Sequence, residues 1–227
     1  MFLKKIFIHI PKNAGMTIRK SPQLRGKIIL AHQNVHKSPE YTMRVHDTMK
    51  ETGDHDGFEH ARWRDLNTAI TSAHDAFAIV RNPWDRVVSR YFFAKKVIEV
   101  EKKEHSSYAD TSSFEAFLEE RHKWGGKKYM WHRAVRGWYP ALDHVTDKNN
   151  NVKCDILRFE HLNTDICSYF KIKEMSKARN VTGLNADYRD LYTPETIQIV
   201  ADWYKADIEY WGFDFDTSAQ KNYWNIK

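Results

Sequence analysis

Short apolar runs and helical stripes alternate along the chain. The first run, Ile6-Phe7-Ile8-His9-Ile10, stops at Pro11. Similar runs follow at Lys27–His32 (KIILAH), at 76–80 (AFAIV) and from Val152 to Phe159. Each is a near-continuous block of apolar and β-branched residues, the pattern of a strand covered on both faces. Between them the period changes. In NPWDRVVSRYFFAKKVIEV, Trp84, Val87, Val88, Tyr91, Phe92 and Val97 form an i, i+3, i+4 stripe. Asn82 can cap this helix, Pro83 suits its first position, and Asp85 favours its positive end. Further helices are predicted from about Met16 to Lys20, cut short by Pro22, at 113–122 and over Glu160–Phe170. A last helix runs from Pro194, behind the cap Thr193, to about Tyr210, where Trp211-Gly212-Phe213 ends it. Asp147–Asn151 reads as a turn. GGKKYMWHRAVRGWYP is partly helical, and the polar, histidine-rich stretch 33–65 reads as loop with at most one short helix. Strands alternating with helices predict an α/β fold, a parallel sheet wrapped by helices.

At 227 residues the chain suits one domain, with no internal repeat and no low-complexity linker. An aromatic content of 14%, including eight Trp, argues against disorder. The 36 Lys+Arg and 30 Asp+Glu give a net charge of +6, interleaved along the chain, which favours an anionic ligand. Zinc spacing, RNP-like motif and recognition helix are all missing, which argues against a nucleic-acid partner. Cys154 and Cys167 sit among apolar neighbours without metal spacing and read as reduced core residues. The N-terminal run has no cleavage site, and no stretch approaches the roughly 18 apolar residues of a membrane span. The expectation is a soluble protein of a reducing cytoplasm.

Two candidate anion sites lie at predicted strand ends, where open α/β sheets bind ligands. The first is Pro11–Thr17. Gly15 permits close backbone approach, successive amides can point at one anion, and Lys12 and Thr17 add a charge and a hydroxyl. An ordinary strand-to-helix turn with a surface lysine reads equally well. The second is Arg81, able to make a two-pronged contact, with Ser89 eight residues on in the next helix. Alone, each reads as readily as an ion pair or a small packing residue. Together they ask for a ligand with two separated anionic groups.

These segments resemble the sulfotransferases that use 3′-phosphoadenosine 5′-phosphosulfate (PAPS). HIPKNAGMTI is similar to that family's 5′-phosphosulfate loop (PKTAGTS, PKxGxT), and FAIVRNPWDRVVSRYFF to its 3′-phosphate element. DILRFEHLNTDI and LYTPETIQIVADWYKADIEYWGF resemble later family segments, in the expected order. About half the chain carries the likeness, closest to the carbohydrate-type, Golgi-like branch, although no Golgi anchor is seen. Asn13 and Met16 stand where the loop often has hydroxyl residues, and AVRGWYPALDHV lacks a Pro-Gln seen in many relatives.

The resemblance implies a P-loop-like three-layer fold in a single domain, 1–227, with 33–65 and 105–150 as acceptor-side insertions. It implies sulfuryl transfer from PAPS to a hydroxyl acceptor, a carbohydrate or small molecule, leaving PAP and needing no metal. Lys12 and the loop Asn13, Ala14, Gly15, Met16 and Thr17 would hold the 5′ end, and Arg81 and Ser89 the 3′-phosphate. His32, after the second strand, would be the general base, ahead of His36 and Glu40. His9 reads as a satisfied core histidine. His46, His55 and His60 with Asp54 and Asp56 read as solvated loop residues rather than a metal cluster. His132 could line an acceptor cleft or a helix face, and the tryptophans over 124–138 read as packing before stacking. A P-loop kinase would need GKS or GKT and an acidic strand end, which the chain lacks. A non-catalytic nucleotide- or polyanion-binding module remains the alternative, and an RNA binder a more distant one.

Overall fold

The computed structural model describes residues 3–51, 57–100, 109–124, 131, 133–175 and 187–216. Four short strands, β1 (Lys5–Ile8), β2 (Ile28–Leu30), β3 (Ala76–Val80) and β4 (Cys154–Arg158), form one parallel sheet in the order β2-β1-β3-β4. In register, Phe7 lies beside Leu30 on one side and Phe77 on the other, and Phe77 beside Asp155. The helices are α1 (Gly15–Arg19), α2 (Pro39–Glu51), α3 (Thr68–Ala73), α4 (Pro83–Lys95), α5 (Phe114–Trp124), α6 (Arg133–Arg136), α7 (Ala141–Val145), α8 (Leu162–Phe170), α9 (Pro194–Trp203) and α10 (Lys205–Trp211).

The alternation of side chains along a strand divides the core in two. Ile6, Ile8, Ala76, Ala78, Val80 and Ile156 face one side, against residues such as Val45 of α2, Val87 and Tyr91 of α4, Phe117 of α5 and Val200 of α9. Phe7, Phe77, Ile79 and Leu157 face the other, against Ile18 of α1 and Ile166 and Phe170 of α8. Every residue of β3 is buried. Covering both faces is what forced its five apolar residues to be continuous rather than alternating. The α/β expectation, helices on both sides of a parallel sheet, is met.

Two expectations need correction. Residues 33–65 are not mainly loop: α2 is a 13-residue helix inside them. Its inward positions, Val45 and Met49, lie four apart and are the only members of the helix that are fully buried, too sparse a stripe for periodicity to register. The C-terminal helix is two helices. α9 ends at Trp203 and Tyr204, at φ −105° and ψ 23°, is shared between its C-cap and the N-cap of α10.

The strand order reverses direction at β1. The chain passes from β1 outward to β2, then back past β1 to β3. The loops after β1 and β3 therefore depart in opposite directions from adjacent carboxyl ends, which opens a crevice there.

Candidate functional site

Pro11–Ala14 leaves β1 in an unusual shape. Lys12 and Ala14 both have left-handed backbones, φ 68° and 60°, and neither is glycine. A side chain in that region costs about 1 kcal/mol, so surrounding contacts must impose it. Those contacts are visible. Asn13 is buried and its amide donates to the Ile79 carbonyl of β3 at 2.8 Å. Arg86 of α4, fully buried, donates to the Pro11 carbonyl at 3.2 Å and to the Tyr139 carbonyl at 3.0 Å. The Asn13 N–H turns back to the Ile10 carbonyl at 3.3 Å and closes the turn, and the chain then enters α1.

Gly15 is needed for closeness rather than for turn geometry. A Cβ there would lie 1.6 Å from Nε2 of His9, so the histidine ring fills the space a side chain would take. His9 is itself buried, and burial, followed by the nearby Arg19 cation, pushes its pKa down to about 3. It is therefore neutral at ordinary pH. The expectation of a satisfied core histidine is half right: the ring is in the core, but its Nδ1 is buried without a hydrogen-bond partner.

The second element meets the first directly. Arg81, just past β3, donates through Nη1 to the Lys12 carbonyl at 3.0 Å. Its Nε and Nη2 donate to both oxygens of Asp85 at 2.7 and 2.6 Å, and its guanidinium lies 4.0 Å from the Phe159 ring centroid. Asn82 then caps α4, its Oδ1 accepting from the Trp84 amide at 3.0 Å. Along α4, Asp85, Ser89 and Phe93 are spaced at i, i+4 and i+8 and form one column. Asp85 grips Arg81 at one end. Phe93 lies 4.3 Å beneath the Lys12 ammonium at the other. Buried Ser89 lies between them.

The structure thus brings Lys12, Asn13, Ala14, Gly15, Met16, Thr17, Arg81 and Ser89 into one locality. His32 stands beyond β2 on the same carboxyl edge, its side chain exposed. His36 does not stand ready as a base: it is buried against Tyr41, Phe58 and Trp131, with Nε2 3.2 Å from the Phe58 carbonyl, and burial lowers its pKa. Glu40 is exposed in the first turn of α2. His60 is not a solvated loop residue, because its Nδ1 meets the His9 carbonyl at 2.8 Å. His55, Asp54, Asp56 and His132 lie outside the described residues. Trp131 and Trp138 are buried packing residues.

Sequence reading passed over Asp85 as a partner of Arg81, and Arg86 as an anchor of the Pro11 turn. The Arg81–Asp85 pair has the i, i+4 spacing that marks an ion pair along a helix and could have been read, whereas the Arg86 contact joins separate elements and has no such signal. The N-cap preference that singled out Asn82 had no counterpart for Arg86.

The chain matches the family model described as "Sulfotransferase family" over residues 4–214. A solved structure, "Crystal Structure of Sulfotransferase from Alicyclobacillus acidocaldarius", is similar at 15% identity and a TM-score of 0.42, covering 91% of this chain and 93% of that one. No curated protein matches it. Since the family model spans nearly the whole sequence, including both strand-end elements, the chain belongs to the PAPS-dependent sulfotransferase family.

Proposed function

We propose that this sulfotransferase moves the sulfuryl group of PAPS to a hydroxyl acceptor, a carbohydrate foremost, in the crevice between β1 and β3. The observation that carries the reading is the 3.0 Å bond from Arg81 to the Lys12 carbonyl. It ties together two elements 69 residues apart that a ligand with two anionic ends would span.

The residues fit such a ligand. A guanidinium has five N–H groups, and Arg81 commits three of them to Asp85 and Lys12, leaving two for a phosphate. Ser89 supplies a hydroxyl on the same column of α4. The left-handed turn at Lys12–Ala14, with the first amides of α1 and the Thr17 hydroxyl, suits the 5′ end. Asn13 shapes the loop, since its side chain donates to β3 and its backbone N–H to the Ile10 carbonyl at 3.3 Å. The bound donor supplies the sulfuryl group and a phosphate leaving group. Lys12 meets the negative charge that grows on the leaving oxygen, which is the main electrostatic task in transfers of this type. His32 accepts the proton of the attacking hydroxyl, and the rigid loop holds the reacting atoms in line. The segment 33–65 leaves β2 beside His32 and forms part of the acceptor side, with 105–150 as the other insertion.

Calorimetry with PAP, AMP and ATP tests the two-ended site. PAP is expected to bind more tightly than AMP, and Arg81→Ala to erase that preference. A preference that survives the substitution, or no preference at all, sinks the proposal. His32→Ala is expected to keep PAP binding and lose transfer from radiolabelled PAPS across a panel of sugar, phenol and peptide-tyrosine acceptors. Normal turnover in that variant removes His32 from the role, and the panel identifies the acceptor.

A further inference from the structure

His9, Glu59 and His60 form a cluster that takes no part in the proposed donor site. Among the described residues, His9, Glu59 and His60 each offer a ligand atom within 4.8 Å of the other two. The imidazole rings of His9 and His60 are 4.2 Å apart, tilted by 44°. His9 is 93% buried, and its Nδ1 has no partner. A buried nitrogen without a partner is costly, so it asks for an occupant. Nδ1 of His60 lies 2.8 Å from the His9 carbonyl, which can only accept, so Nδ1 carries the proton and Nε2 keeps the lone pair. That is the arrangement by which a backbone carbonyl orients a metal-binding imidazole. Burial keeps both rings neutral, as a metal requires.

We propose that His9, Glu59 and His60 form a binding site for one divalent transition-metal ion, with two imidazoles and a carboxylate as protein ligands. The donor set selects the class of ion. Two imidazoles suit Zn²⁺, Co²⁺, Ni²⁺ or Cu²⁺, whereas Mg²⁺ and Ca²⁺ take oxygen ligands and find a single carboxylate here. One neighbour competes. Arg19 donates to Glu59 at 2.8 Å, and Arg19, Arg136 and Lys12 all disfavour positive charge at His9. The site is therefore weaker than a four-ligand structural zinc site, and Arg19 sets its strength. The ion would brace the His9 ring, which fills the space beside Gly15. The proposal does not depend on which donor or acceptor the crevice takes.

The test is titration of the metal-free full chain with Zn²⁺ by calorimetry and with Co²⁺ by visible absorption. One ion per chain is expected, with cobalt bands of imidazole ligation. His60→Ala is expected to lose it, Glu59→Gln to weaken it, and Arg19→Ala to tighten it by releasing the carboxylate. Circular dichroism checks that each variant folds. Should His60→Ala fail to fold, the opposite shifts of Glu59→Gln and Arg19→Ala decide, since scattered surface binding would respond to neither. Absence of uptake by the wild-type chain, or affinity unchanged in both Glu59→Gln and Arg19→Ala, overturns the site.

Discussion

At the scale of single residues, the buried histidines carry most of the unusual chemistry. His144 is fully buried on α7, with Nδ1 3.2 Å from the Pro140 carbonyl and Nε2 without a partner. Burial, and then the Arg86 cation, push its pKa down to about 3. An unfolded histidine titrates near 6.5. Above that pH the group is neutral in both states and has no effect on stability. As pH falls below 6.5, only the unfolded chain gains the proton, and stability is lost until the native pKa near 3 is reached. The expected slope is about 1.4 kcal/mol per pH unit. His144→Gln should remove it, so the difference in unfolding free energy between wild type and variant, measured in urea from pH 7 to pH 5, should change with that slope. A constant difference would mean that His144 does not titrate as its burial requires. Gly15 belongs to the same scale. Alanine is favoured over glycine in a helix by about 1 kcal/mol, yet a methyl group 1.6 Å from a buried ring nitrogen outweighs that gain.

At the scale of elements, the helix ends are where the sequence was most readable. Asn82 caps α4 as its position before Pro83 suggests, and Thr193 and Thr196 form a reciprocal capping box on α9. What the pattern did not reveal is that some caps come from elsewhere in the chain. Asp207 of α10 accepts from the amides of Ala141 and Leu142, at 2.7 and 2.9 Å, and so caps α7 across more than sixty residues. Burial raises its pKa to about 6. Asn82 also has a long-range task, because its amide donates to the Asp214 carbonyl at 2.8 Å. Asn82→Ala therefore removes both a cap and a tie to the C-terminal segment. We expect a loss of about 2 kcal/mol, the upper end for a single cap, read as a lower urea midpoint at unchanged slope. A loss below about 0.5 kcal/mol would show that the start of α4 is held by packing of Trp84 and Val87 instead.

At the scale of the whole molecule, the sheet order brings the two strand-end elements together. Residues 12 and 81 become neighbours because β1 and β3 are adjacent and parallel, and because the crossovers on either side of β1 run in opposite directions. Binding there couples the two halves of the chain, so a ligand that spans both loops should stabilise the fold as a unit. At about 100 times its dissociation constant, PAP is expected to add about 2.7 kcal/mol, and to raise the thermal midpoint by several degrees. AMP at the same concentration should give a smaller shift, and in Arg81→Ala the two should coincide. Equal shifts in the wild-type chain would show that the 3′ group finds no contact. No described helix is long and apolar enough to cross a membrane.

The sequence by itself determined the four strands, the alternation with helices and the local caps Asn82 and Thr193, because those depend on local periodicity and on the few residue types that satisfy helix ends. It also supplied both candidate anion sites, since a glycine after a strand and an arginine at a strand end are local signals. Only the tertiary structure decided that the two elements lie side by side, that Arg86 anchors the Pro11 turn, and that α2 is a full helix turned inward through Tyr41, Val45 and Met49. It alone brought His9 against His60 and Glu59, some fifty residues away along the chain. Contacts of that kind depend on strand order and on which face of each element turns inward, and no periodicity within one segment encodes them.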